Sequence, residues 1–187
     1  MATEITADNR LPLVDIETME GPVGDTLRAA PMRLNIISMM AHAKTCVLPQ
    51  LGLGRAVMTE QALPALRREL LILLAARMDG CQYVWSQHRP IAERVGATAA
   101  MLDAIQALDL SSRAFPEADQ ALLFFGMQVI RGGEVEDQVF ERAARHFDAQ
   151  QIVEAIVAIG YYMTMNRLTL ATRTPLEPDA VTAAMRN

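Results

Sequence analysis

The stretch that most restricts this chain is PALRRELLILLAARM, residues 64–78. It opens on a proline suited to a first helical position and continues in strong helix formers. It then carries Leu70, Leu71, Ile72, Leu73, Leu74, Ala75 and Ala76 without a polar break. A helix that is apolar on every side has no face to offer to water, so other elements must enclose it. The run is far too short to cross a bilayer, for which about 20 residues are needed. The packing partners must come from the rest of the chain, where apolar residues recur at helical spacing, with no strand alternation and no repeat. The predicted fold is an all-α, compact multi-helix bundle.

Capping and breaking residues divide that bundle. A first helix is predicted from Pro31 to about Val47, with Leu34, Ile37, Met40 and Ala41 on one face and Pro49, Gly52 and Gly54 ending it; a short one follows near Arg55 to Gln61. After the buried helix, Asp79 with Gln82 reads as a capping box opening a helix through Cys81 to His88 that kinks or restarts at Pro90. Thr98 begins another helix, and Phe115-Pro116 begins one that ends at Gly132-Gly133. VEDQVFERAARHF is a shorter helix with Val139, Phe140, Ala143 and Phe147 inward. Asp148 and Gln151 cap a long one with Ile152, Ile156, Ile159 and Met163 on its inner stripe. Residues 1–24, with Pro12, Gly21, Pro22 and Gly24, read as an N-terminal arm or loosely ordered segment, and residues 25–187 as a single helical domain. The tail beyond Thr174-Pro175 has room for a last turn or short helix.

Charge narrows the function classes. With a net charge of -5 and no basic cluster larger than Arg67-Arg68, the chain lacks the electrostatic footprint of a nucleic-acid binder. MATEITADNR is acidic at the start and has no apolar core, unlike a signal peptide, so a cytoplasmic location and no membrane association are expected. In a reducing cytoplasm the two cysteines are expected as free thiols.

Candidate chemistry gathers in DGCQYVWSQHRP, residues 79–90. Cys81 falls in the first turn of the predicted helix, where unpaired amides and the helix dipole favour a thiolate. His88 is seven residues on, nearly the same face two turns along, roughly 10 Å by helix rise. Glu69 stands immediately before the apolar run, and a carboxylate drawn into such a core suits proton transfer if it faces a pocket. Each residue also has an ordinary explanation: Cys81 as packing, His88 as a partner for a carbonyl, Glu69 as a partner for Arg67, Arg68 or a neighbouring helix. Tyr83 and Trp85 read as wall and core, since no basic groove accompanies them as in a base-stacking platform. The twelve methionines read as adaptable core or subunit-interface filler. His42 and Cys46, four apart on one predicted helical face, offer two metal ligands where a structural zinc needs four, so neither metal nor cofactor is expected. His146 stands alone near a helix end, in a favourable dipole position.

RRELLILLAARMDGCQYVWSQHRPIAERVGAT resembles the signature region of the carboxymuconolactone decarboxylase and alkylhydroperoxidase D-like superfamily. The peroxidase pattern there is Glu, eleven residues, Cys, two residues, Cys, three residues, His, and Glu69, Cys81 and His88 fall on its first, second and last positions. Cys81, Tyr83, Trp85 and His88 further resemble a Cys-x-Tyr-x-Trp-x-x-His subgroup. The likeness covers residues 31–175 in helical layout and residues 67–98 in specific motif. It implies an all-helical fold assembled as a homo-oligomer, a trimer or hexamer, or else a dimer, with the site near a subunit interface. In the two-cysteine peroxidases, Glu, His and a water help to deprotonate the thiols, the second motif cysteine attacks the peroxide and the first then closes a disulfide with it. Val84 occupies the second cysteine position, so no Cys-x-x-Cys cycle is available, and the glutamate that the subgroup often carries there is absent too. The leading expectation is a cofactor-independent, thiol-dependent peroxidase-like oxidoreductase. In it Cys81 is nucleophile, His88 and Glu69 relay protons, Tyr83, Val84 and Trp85 shape the substrate pocket, and an external thiol or Cys46 serves as reductant. The alternatives are a decarboxylase-like lyase or isomerase working by acid/base chemistry on a small carboxylated lactone or aromatic catabolite, and a non-catalytic helical oligomer.

Overall fold

A computed structural model describes residues 9–30 and 33–177. Among them are nine helices and no strand: α1 (Gly21–Ala29), α2 (Asn35–Met40), α3 (Val47–Thr59), α4 (Ala65–Asp79), α5 (Gln82–Arg94), α6 (Ala99–Ala107), α7 (Glu117–Arg131), α8 (Asp137–Ala144) and α9 (Ala149–Thr172). The chain divides into two compact units, one of residues 1–55 with 167–187 and one of residues 56–166, the divisions falling inside α3 and α9.

The larger unit is organised by α4. Leu70 through Ala76 are all buried, as an all-round apolar helix requires, and α5, α6 and α7 pack against it. α7 packs tightly against it at Gly126, where an added Cβ would stand 2.5 Å from Leu71 Cδ2 and 3.4 Å from Ile159 Cδ1. Phe115, Leu122, Leu123, Phe125, Phe147, Ile152 and Ile159 complete the core around it.

Local signals decide the junctions. Thr98 caps α6 by accepting from the Met101 amide at 3.2 Å. Asp148 and Gln151 form the reciprocal capping box before α9: the Gln151 amide donates to Asp148 Oδ1 at 2.9 Å and the Asp148 amide to Gln151 Oε1 at 3.2 Å. Between α4 and α5 the outcome differs from expectation. Gly80 takes the left-handed conformation, φ 68°, and the Cys81 amide reaches back to the Ala76 carbonyl at 2.8 Å, ending α4 in a 6→1 hydrogen bond. Asp79 is thus the last residue of α4 rather than a cap for α5, and its carboxylate accepts from Asn166 Nδ2 at 2.9 Å. α5 then runs without interruption past Pro90 to Arg94.

Other expectations fail for physical reasons. α2 stops at Met40 and a series of turns carries the chain to α3, so His42 and Cys46 do not share a helix. Pro49 lies inside the first turn of α3, where an amide has no intrahelical acceptor to lose, and therefore does not end the helix. Phe140 is 44% exposed and Ile156 42% exposed, so neither turns inward, while Val139, Ala143, Phe147, Ile152 and Ile159 do.

In the smaller unit the segment read as a loose arm ends within α1, which Pro22 helps to open. Its described part is tied down: the Arg10 amide donates to the Thr172 carbonyl at 2.8 Å, the Val14 amide to Ser38 at 3.3 Å, and Ile16 is buried. The Asn35 amide donates to Glu177 Oε1 at 2.8 Å, which fixes the described end of the tail; residues 178–187 lie outside the described residues.

The contact at Gly126 yields a test. In Gly126→Val the added methyls must occupy space that Leu71 and Ile159 already fill, and overpacking of this kind costs about 1–3 kcal/mol. Urea unfolding should give a lower midpoint with an unchanged slope.

Candidate active site

Two helices and one turn build the site. α4 carries Arg68 and Glu69 at the boundary between its polar start and its apolar run, and the Gly80 turn sends α5 back along it. That return places His88 against Glu69: His88 Nδ1 and Glu69 Oε2 are 2.7 Å apart, with His88 buried and Glu69 0% exposed. An ionised carboxylate can only accept, so with Glu69 ionised Nδ1 is the donor, and in a neutral imidazole Nε2 then keeps a lone pair, the tautomer a general base needs. Arg68 Nε lies 3.5 Å from Glu69 Oε1, and both atoms are buried without a hydrogen bond.

Tyr162 closes the cluster from α9. Its ring meets His88 edge to face, with centroids 4.5 Å apart, and its hydroxyl donates to Met58 Sδ at 3.1 Å. Burial raises the Tyr162 phenol well above its ordinary value of 10.0, with the negative charge of Glu69 and the phenol of Tyr161 adding to the effect and Arg68 opposing it. Neighbouring Tyr161 is raised by burial as well.

The thiol sits at the other end of the same helix. Cys81 is the N-cap residue of α5, with no side-chain cap hydrogen bond, and is 1% exposed. It precedes His88 by two turns, roughly 10 Å along the axis. Tyr83 and Val84 are buried beside it in sequence, and Trp85 packs against the core cluster. Cys46 is exposed and Cys81 buried, and both are free thiols. His42 Nε2 pairs with the Pro12 carbonyl at 2.8 Å, and among the described residues no group of three or more His, Cys, Asp or Glu is disposed to hold a metal. His146 lies edge to face with Phe147.

Of Glu69, Cys81 and His88, which sequence spacing singled out, the structure pairs the first with the last and sets Cys81 at the start of α5. Tyr162 and Arg68 were missed as members of the cluster. Tyr162 lies far along the chain and carries no local signal, whereas Arg68 was visible as a neighbour of Glu69 and was read only as an ion-pair partner.

An all-helical protein in which a buried carboxylate on one helix pairs with an imidazole on the next, a helix that a thiol begins, is the class these features define. Residues 51–126 match the model of the carboxymuconolactone decarboxylase family. It is 27% identical over 105 residues to the protein YdfG of Bacillus subtilis (strain 168), which covers 56% of this chain and 71% of that one. Among solved structures it resembles a peroxidase-related protein with an alkylhydroperoxidase AhpD core from Ralstonia eutropha JMP134, with a TM-score of 0.80, 17% identity and coverage of 97% of this chain and 98% of that one. It also resembles the debrominase Bmp8, with a TM-score of 0.69, 19% identity and coverage of 88% and 86%. At these identities the structural likenesses establish the fold.

Two measurements probe the cluster. His88→Leu leaves the Glu69 Oε2 acceptor buried without its partner, which should cost about 1–3 kcal/mol in urea unfolding. For Tyr162 the folded phenol holds its proton more tightly than the unfolded one, so the stability it contributes is complete below pH 10.0 and is lost as pH climbs from there toward the folded value. Unfolding measured from pH 9 to 11 should therefore show a shallower alkaline decline in Tyr162→Phe than in the parent.

Proposed function

We propose that the protein is a thiol-dependent peroxidase-like oxidoreductase that works without a cofactor, with Cys81 as its nucleophile. The observation that carries this reading is the 2.7 Å pairing of Glu69 on α4 with His88 on α5, the helix that Cys81 begins. Glu69 orients the imidazole, and Nε2 takes the thiol proton through bridging water. The thiolate attacks a peroxide oxygen and the O–O bond breaks. The imidazolium returns its proton to the departing alkoxide, so that Cys–SH and ROOH become Cys–SOH and ROH. A first external thiol converts the sulfenic acid to a mixed disulfide and water, and a second releases Cys–SH and an external disulfide.

Val84 lacks the sulfur to resolve the sulfenic acid, and Cys81 is buried, so the reductant is a small thiol rather than a docked protein. Tyr83, Val84 and Trp85 form the wall of the substrate pocket. The chain works as a cytoplasmic homo-oligomer, a reading supported by the resemblance of its signature region to a superfamily of oligomers and by the exposed apolar residues Val153, Ile156 and Val157 on α9. As a domain, residues 25–187 act together.

A lyase of the decarboxylase kind would use the same Glu69–His88 pair without the thiol, and variants separate the two. With cumene hydroperoxide and dithiothreitol, Cys81→Ser should abolish turnover and His88→Ala lower it by about 10²–10⁴-fold, while Cys46→Ser should not change it. Peroxide consumption undiminished in Cys81→Ser would sink the thiol mechanism. Conversion of a carboxylated lactone that survives Cys81→Ala but not Glu69→Gln would establish the lyase.

A further inference from the structure

Two consecutive arginines on α4 are treated in opposite ways. Arg67 Nε donates to Asp119 Oδ1 at 2.8 Å, and its guanidinium lies 4.9 Å from the centroid of the Phe147 ring, so its charge is committed. The Arg68 side chain is only 7% exposed, yet its Nε makes no hydrogen bond and comes no nearer than 3.5 Å to Glu69 Oε1. Guanidinium–carboxylate pairs ordinarily close to about 2.7–2.9 Å, and 3.5 Å is beyond hydrogen-bond range. Glu69 cannot simply swing across to satisfy it. Its other oxygen is held by His88, and consecutive helical residues point about 100° apart, so closing on Arg68 means releasing the imidazole. A buried guanidinium whose Nε has no hydrogen bond, and whose paired carboxylate oxygen stays 3.5 Å away, marks a seat for a group the protein itself does not supply.

We propose that Arg68 seats the carboxylate of a small organic substrate beside the Glu69–His88 pair, so that the site selects hydroperoxides bearing a carboxylate over neutral ones. The word hydroperoxide rests on the function proposed above; the anion seat does not. A monoanion suits a cluster that already holds Glu69, because a phosphate dianion would bring an excess of uncompensated negative charge into a buried site. The fork of Arg68 also favours a planar two-oxygen acceptor.

Calorimetric titration of the full-length protein with benzoate, and with benzamide as the uncharged counterpart of the same shape, tests the seat without requiring turnover. Benzoate should bind at least about 10-fold more tightly than benzamide. Arg68→Met should erase the difference, and Arg68→Lys, which keeps the charge and loses the fork, should retain part of it. Equal affinities in the parent protein, no benzoate binding at millimolar concentration, or a preference that persists in Arg68→Met would each overturn the proposal. The parent comparison stands even if Arg68→Met does not fold. Kinetics with a fatty-acid hydroperoxide and its methyl ester then separate the two readings: a benzoate preference with neither peroxide consumed keeps the seat and removes the thiol mechanism.

Discussion

The hydrogen bond between Glu69 and His88 is the interaction around which the larger unit is arranged. A carboxylate with no solvent exposure has to be compensated inside the protein, and His88 does so from the adjacent helix at 2.7 Å. Keeping the pair dry requires α4 to be enclosed, which α5, α6 and α7 achieve with the close approach at Gly126. Bringing His88 into reach requires α5 to fold back on α4, which the left-handed Gly80 allows. Sealing the core and orienting the imidazole are therefore one structural problem with one solution.

What could be read from the sequence was whatever is encoded locally. The apolar run of α4, the Thr98 cap and the Asp148–Gln151 box each depend on residues within one or two turns, and each forms where its pattern places it. The junction at Asp79-Gly80 held two signals in competition, a possible N-cap and a glycine suited to ending a helix. The glycine prevailed because the Cys81 amide could satisfy an α4 carbonyl directly. Phe140 and Ile156 followed helical periodicity and still point outward, since periodicity gives the spacing of a face and not its edges. Pro49 misled because a proline's effect depends on whether a helix has already begun.

Within the site, spacing marked Glu69, Cys81 and His88 because all lie on one helical hairpin. Tyr162 is brought to His88 by tertiary packing of α9, which leaves no trace in a short motif. Arg68 shows a different blindness. Sequence suggests which charges stand near one another, but the difference between a closed pair at 2.8 Å and an open one at 3.5 Å is visible only in three dimensions.

The all-round apolar character of α4 also separates durability from chemistry. A helix whose every side is greasy can lose or gain one residue between Leu70 and Ala76 and still bury much the same surface, yet each such change turns Glu69 by about 100° relative to the Gly80 turn and to α5. Length variants of this helix could thus remain well folded while the carboxylate faces away from the imidazole. Among relatives or designed derivatives, thermal robustness would carry no information about whether the site is intact, and the count of residues from Glu69 to Cys81 would.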